Sequence, residues 1–307
     1  MHVDAWGKKL VAVGGRIYFN DNPKMAFYEF LQSHLRSTLG AQWWKAEAAK
    51  PNIARHRLAQ WQAHAEELMR SEQPDERGRF LIPRDGIITA LMTLAYDLYV
   101  VRDNTEFQER IVERLRLRDS FEGVRYELMV AATFVRAGFK VRPEDDSKTE
   151  KHPEFVATHR ETGFEIAVEA KARNRRQSDR NPTRAGVEDL VDTAASQGIK
   201  GKPFALFVDV VMPPSDSDQP PSWANEVDQT VQDVVQKHGG MPGPFDWVVF
   251  TNTPHRFGEP GGADPPRQWV EWVPRATRVP FEIHEVVIQA LQQYGAIPDF
   301  ETDSQQV

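Results

Sequence analysis

The sequence predicts an α/β chain, a mixed central sheet with flanking helices, preceded by a mainly α-helical N-terminal module. Three observations predict it. Residues 152–171 hold two extended runs around the four-residue turn Arg160-Glu161-Thr162-Gly163. In the second run Phe164, Ile166, Val168 and Ala170 alternate with Glu165, Ala167, Glu169 and Lys171, the period of two that marks a strand. Residues 204–211 and 245–251 are continuous apolar runs, as expected of strands covered on both faces, and helix-period segments separate them. The first 118 residues read as helices almost throughout, and a hydrophobic content of 40% with eight Trp and 17 Phe is ample for a packed core.

In chain order, residues 11–13 and 16–19 flank Gly14-Gly15, a pair suited to a tight hairpin turn. Residues 24–38 have helical spacing. Residues 41–70 read as one helix, or as two broken at Pro51. A loop follows at residues 74–78. Residues 86–101 are strongly apolar and suit a buried helix, and residues 105–117 are amphipathic with a charged outer face. This N-terminal stretch, residues 1–118, carries no catalytic signature. Homodimer contact, docking of a protein partner and substrate binding are the roles open to it. A second unit is expected over residues 119–307. Residues 119–138 form its first helix, with Phe121, Val124, Leu128, Ala131, Ala132 and Val135 on one face, Asp119 or Ser120 placed to cap it and Gly138 to stop it. A short strand over 139–142 leads into the hairpin. Beyond the hairpin, residues 185–199 and 223–237 read as helices. A Pro- and Gly-rich loop spans 254–266, where His255 and Arg256 read as surface residues. An edge strand at 269–273 and a helix over 282–294 close the pattern.

Whole-chain numbers exclude several function classes. A net charge of −7 and a pI near 5.8 argue against broad nonspecific coating of nucleic acid. The absence of cysteine removes disulfides, thiolate zinc sites and cysteine nucleophiles. No Gly-x-Gly-x-x-Gly, Walker-type Gly-Lys-Ser/Thr, Gly-x-Ser-x-Gly or His-Glu-x-x-His occurs. The opening residues lack an apolar signal core and no run reaches membrane-spanning length, so a soluble, cytoplasmic protein without membrane association is expected.

The chemistry lies in the hairpin. If residues 160–163 are the loop, His159 pairs with Phe164 and Glu154 falls opposite Glu169, with Cβ atoms roughly 4.5–5.5 Å apart. Carboxylates that close repel unless a cation sits between them, and a hard ion such as Mg²⁺ is bound by one or two carboxylates with water and substrate phosphate completing its shell. Lys171 leaves the same face one pleat further on, and the chain's single Glu-x-Lys is this one. The alternative is an ordinary solvated strand edge. Glu127 lies inside the apolar arc of the 119–138 helix, where a carboxylate needs Arg125, another arginine or a metal ion. Between residues 171 and 184, Lys171, Arg173, Arg175, Arg176, Arg180 and Arg184 face only Asp179, a basic cluster suited to phosphate backbones.

A helix carrying Glu, a strand, then Pro-acid-Phe at 153–155 and Glu-x-Lys at 169–171 on paired strands resembles the PD-(D/E)XK nuclease superfamily with its restriction-endonuclease-like fold. The resemblance covers about residues 119–251. It implies a mixed central sheet of restriction-endonuclease-like type and a metal-dependent phosphodiester hydrolase acting on nucleic acid, with DNA favoured over RNA and the choice between them left open by the sequence. Residue by residue, it implies Glu154 as the first metal-binding acid, Glu169 as the second, Lys171 as the catalytic lysine and Glu127 as the helix glutamate, with Mg²⁺ or Mn²⁺ as cofactor. One departure is that Glu stands at the first acid, where the family usually carries Asp. A non-catalytic nucleic-acid- or protein-binding assembly protein that keeps the fold is the rival expectation.

Overall fold

The structure, a computed structural model, describes residues 2–5, 8–13, 16–20, 27–73, 85–144, 152–173, 184–213, 220–240, 243–253 and 267–298. Its first strands are β1 (His2–Ala5), β2 (Lys8–Val13) and β3 (Arg16–Asn20), an antiparallel sheet in that order with Val13 opposite Arg16. The expected N-terminal hairpin is therefore present and gains a third strand. Gly14-Gly15, the loop at 74–78 and the 254–266 loop with His255 and Arg256 lie outside the described residues.

Five helices follow: α1 (Phe27–Leu39), α2 (Ala41–Ala48), α3 (Arg57–Ser71), α4 (Gly86–Val101) and α5 (Thr105–Leu115). Pro51 separates α2 from α3 and stands, extended, before a short 3₁₀ turn at Asn52–Ala54, consistent with proline's missing N–H and fixed φ. α4 is buried on nearly every side, as its all-round apolar composition demands. Asp85 caps it, accepting the Ile88 N–H at 2.7 Å. α6 (Phe121–Arg136) comes next and ends before Gly138, whose φ of 93° suits a residue without Cβ.

Six strands then form one mixed sheet in sequence order: β4 (Phe139–Pro143), β5 (Phe155–His159), β6 (Glu165–Ala172), β7 (Phe204–Asp209), β8 (Trp247–Asn252) and β9 (Gln268–Trp272). β4–β5, β5–β6 and β8–β9 pair antiparallel, while β6–β7 and β7–β8 pair parallel. The parallel pairs need crossovers, and these contain α7 (Glu188–Ala194) and α8 (Ala224–Lys237). α9 (Phe281–Gln292) closes the described chain. α7 is shorter than the stretch 185–199 predicted as helix. The Glu226 carboxylate takes the N–H groups of Ala185 and Gly186, each at 3.0 Å, which ties these residues to α8 instead of extending α7.

Alternate residues of each buried strand serve different layers. Ala205 and Phe207 of β7 join α6 in one core; Phe204, Leu206 and Val208 join α7 and α8 in a second core. That two-sided burial explains the continuous apolar run. The first core draws buried residues from Phe27 to Ile297 and so includes residues on both sides of position 118, the boundary expected from sequence texture. α4 and α5 pack on α6, and α5 also reaches β4. The N-terminal helices thereby form part of the wall that surrounds the hairpin.

At the centre of this core Phe134 is fully buried, with its ring edge-on to Phe139, Phe155 and Phe207 at centroid distances of 5.2, 5.9 and 5.7 Å. Phe134→Ala is expected to cost about 3–5 kcal/mol of stability, readable as a shift in the midpoint of urea unfolding. A shift below about 1 kcal/mol would mean that the cavity closes by repacking.

Candidate active site

The turn sets the register, and the register builds the site. The His159 N–H donates to the Phe164 carbonyl at 2.8 Å, and Gly163 closes the loop with φ 71°. Phe155 then pairs with Val168 and Thr158 with Glu165, so Glu154 stands opposite Glu169 just beyond the last ladder pair. The Glu154 N–H donates to Glu169 Oε2 at 3.0 Å. A slip of one residue would turn Glu169 and Lys171 to the other face.

Glu169 is fully buried, and the Lys171 ammonium lies against its Oε1 and 3.7 Å from Glu154 Oε1. Glu127, on α6, is 1% exposed. Among the described residues its ion-pair partner is Arg114 of α5 and not Arg125, and Arg114 Nη1 lies 2.6 Å from Glu127 Oε2 and 3.7 Å from Glu154 Oε2. Arg110, one turn earlier on α5, places Nη2 3.7 Å from Glu154 Oε2 and donates through Nη1 to the Glu144 carbonyl at 2.7 Å. Glu144 is 8% exposed, and its N–H donates to the Glu154 carbonyl at 3.3 Å. The fold has thus brought together Glu127, Glu154, Glu169 and Lys171 from three elements.

Arg110 and Arg114 were missed at the level of sequence, where α5 reads as charged on its outer face. Their signal was present: they are four residues apart, on one helix face and close to Phe107 and Ile111, both buried. Only the packing of α5 on α6 and β4 shows which arginines face inward. Of the basic run, Arg173 follows β6 directly, donates its N–H to the Asp209 carbonyl at 2.9 Å and lays its guanidinium against Gly186. Arg184 is exposed. Arg175, Arg176 and Arg180 lie outside the described residues.

Burial governs the electrostatics. Desolvation, and then the Glu154 charge, push Glu127 up to about 8 against the pull of Arg114 and Arg110. Desolvation likewise pushes Glu169 up to about 7, with Lys171 opposing it and Glu154 adding to it. Burial disfavours the Lys171 ammonium, yet the neighbouring Glu169, Glu154 and Glu127 outweigh it and leave the lysine raised. At neutral pH the lysine is therefore charged, while the carboxyls of Glu127 and Glu169 are within reach of a proton.

A stability consequence follows. Both carboxyls hold protons more tightly when folded than in the unfolded chain, whose Glu value is 4.5. Between about pH 4.5 and pH 8 the folded state binds more protons, so stability of the metal-free protein falls as pH rises through that window. Asp97 and Asp209, raised by burial to about 7 and about 6, act in the same direction. Glu127→Gln is expected to flatten the fall and to gain at least ~1 kcal/mol at pH 8, measured by urea unfolding at pH 5 and pH 8. An unchanged slope would remove Glu127 from this account.

Among the described residues no group of three His, Cys, Asp or Glu side chains is arranged to hold a metal ion. The donor set still fits a hard divalent cation. Glu127 and Glu154 share Arg114, Glu154 and Glu169 share Lys171, all three offer carboxylate oxygens, and the buried Glu127 Oε1 has no hydrogen-bond partner among the described residues. Glu154 and Glu169 would be the principal ligands and Glu127 an accessory one. No helix of the described residues is long and apolar enough to cross a membrane. Comparison with family models, curated proteins and solved structures finds no match to this chain.

Proposed function

We propose that the chain is a metal-dependent nuclease of restriction-endonuclease-like type, hydrolysing phosphodiester bonds of nucleic acid, with DNA the favoured substrate. The observation that carries this reading is the convergence of Glu169 and Lys171 of β6 with Glu154, the residue before β5, and with Glu127 of α6 beside them. Strongly perturbed titratable groups that face one another in one cluster are a feature of functional sites.

The roles divide by position. Glu154 and Glu169 would hold Mg²⁺ or Mn²⁺, with Glu127 assisting, and the ion when bound would supply Lewis-acid charge and a more acidic water. Lys171, charged at neutral pH and one-quarter exposed, stabilises the negative charge that builds on the phosphate oxygens. The Glu154 N–H holds the Glu169 carboxylate in place. Arg173 and Arg184, with Arg175, Arg176 and Arg180, would meet flanking phosphates of the strand.

One observation favours a second reading, a binding or assembly protein that keeps the fold without catalysis. Every carboxylate of the cluster already has a cationic neighbour, so the site is charge-compensated without a metal. Cleavage assays with Mg²⁺ and with Mn²⁺ on plasmid, linear duplex, single-stranded DNA and RNA decide between them. Metal-dependent cutting supports the nuclease. No cutting on any substrate supports the assembly protein.

A further inference from the structure

Arg114 reaches the cluster from α5, outside both the hairpin and α6, and supplies the arginine that a carboxylate buried in α6 requires. One of its guanidinium nitrogens, Nη1, approaches two carboxylates on different elements, Glu127 Oε2 at 2.6 Å and Glu154 Oε2 at 3.7 Å. A cation placed between converging carboxylates does electrostatically what a divalent ion would do there. Arg110 is fixed differently, since its Nη1 is held by the Glu144 backbone carbonyl while Nη2 faces Glu154. Arg114 is also the more accessible of the two, with 32% of its side chain exposed against 18%.

We propose that Arg114 is an internal counter-ion that competes with the divalent metal and, once displaced, binds the phosphate of the substrate. The inference rests on the nuclease reading of the same site. Three carboxylates, Glu127, Glu154 and Glu169, face three cations, Arg110, Arg114 and Lys171, so the cluster is close to neutral when all are charged. Adding a divalent ion leaves an excess of positive charge, which either expels a cation or attracts an anion. The guanidinium is tethered to α5, so it remains nearby after displacement, and its planar fork of N–H donors matches two phosphate oxygens. Metal and phosphodiester then bind cooperatively: each ion admitted to the carboxylates frees a clamp for the anion. The unpartnered Glu127 Oε1 is the oxygen this exchange would engage. The exchange is a displacement of ion pairs, with no covalent bond made or broken.

The test measures Mn²⁺ affinity by calorimetry on the full chain, for the wild type, Arg114→Ala, Arg114→Gln and Glu169→Ala. Arg114→Gln keeps an amide donor for Glu127 while removing the charge, which guards against a variant that fails only by unfolding; circular dichroism verifies the fold. Both Arg114 variants are expected to bind Mn²⁺ at least ~10-fold more tightly than the wild type, the equivalent of removing about 1.4 kcal/mol of competition. Their affinity for a metal-loaded, non-cleavable phosphorothioate duplex is expected to fall by a similar factor. Unchanged or weaker Mn²⁺ binding in both variants, with binding lost in Glu169→Ala, would overturn the role of Arg114 and leave the metal site standing. Absence of Mn²⁺ binding in all four proteins would overturn both.

Discussion

Lys171→Ala is expected to reduce metal-dependent cleavage about 10²–10³-fold or more, with the fold intact. The magnitude is that of losing one preorganised charge aimed at a developing oxyanion. Lys171 is suited to that role because it is held rather than free: Glu169 lies against its ammonium and Glu154 is 3.7 Å away. The fold should survive for a specific reason. Removing one partner of a buried ion pair ordinarily costs several kcal/mol because a bare charge remains. Here the remaining partner, Glu169, already has a value pushed up to about 7 by burial, and loss of the ammonium makes protonation easier still. A neutral Glu169 can keep its hydrogen bond from the Glu154 N–H. Circular dichroism and initial rates on the preferred substrate, with Mg²⁺ and with Mn²⁺, are the measurements. Wild-type rates in Lys171→Ala would remove Lys171 from the chemistry.

Glu169→Gln is expected to weaken Mn²⁺ binding by more than ~100-fold, since disturbing a mere neighbour of a metal ligand already costs about 10–100-fold. Cleavage should fall with it. The glutamine is nearly isosteric and still accepts the Glu154 N–H, so the hairpin register is preserved while the anionic ligand is lost. The metal-free variant should also become less sensitive to pH. The wild-type carboxyl binds a proton more tightly folded than unfolded, and this contributes to the decline in stability between about pH 4.5 and pH 7. A Mn²⁺ isotherm identical to that of the wild type would assign the site to Glu127 and Glu154 alone. A lost isotherm with retained cleavage would separate catalysis from this site altogether.

Much of the fold was legible because the relevant signals are local. The alternation from Phe164 to Lys171 encodes a strand, the turn at 160–163 encodes its partner, and together they place Glu154 against Glu169. Gly86–Val101 is apolar on all sides and is a helix with those bounds. Other features were decided by competition between elements. Residues 185–186 have no helix-breaking proline, yet Glu226 of α8 claims their N–H groups, Gly186 takes a φ of 55°, and α7 begins only at Glu188. The site divides in the same way. Glu127 stands out as a carboxylate inside an apolar arc, a local anomaly. Arg110 and Arg114 do not stand out, because an arginine on an amphipathic helix looks solvent-facing until its neighbour is known.

By itself the sequence determined which residue types share a strand face, where the hairpin turns and which acids stand opposite each other. These follow from a side-chain period of two and from the φ preferences of a glycine-containing turn, properties that need no distant partner. The tertiary structure alone decided what neutralises those acids. Arg114 lies 13 residues from Glu127 and 40 from Glu154 in the chain, and its approach to both depends on α5 packing against α6 and β4. Packing of the N-terminal helices into the core that covers the sheet removes water from Glu127 and Glu169. Desolvation raises the cost of an unpaired charge with every ångström of burial, and so the same acids that could have formed a solvated edge become a compensated, titratable cluster.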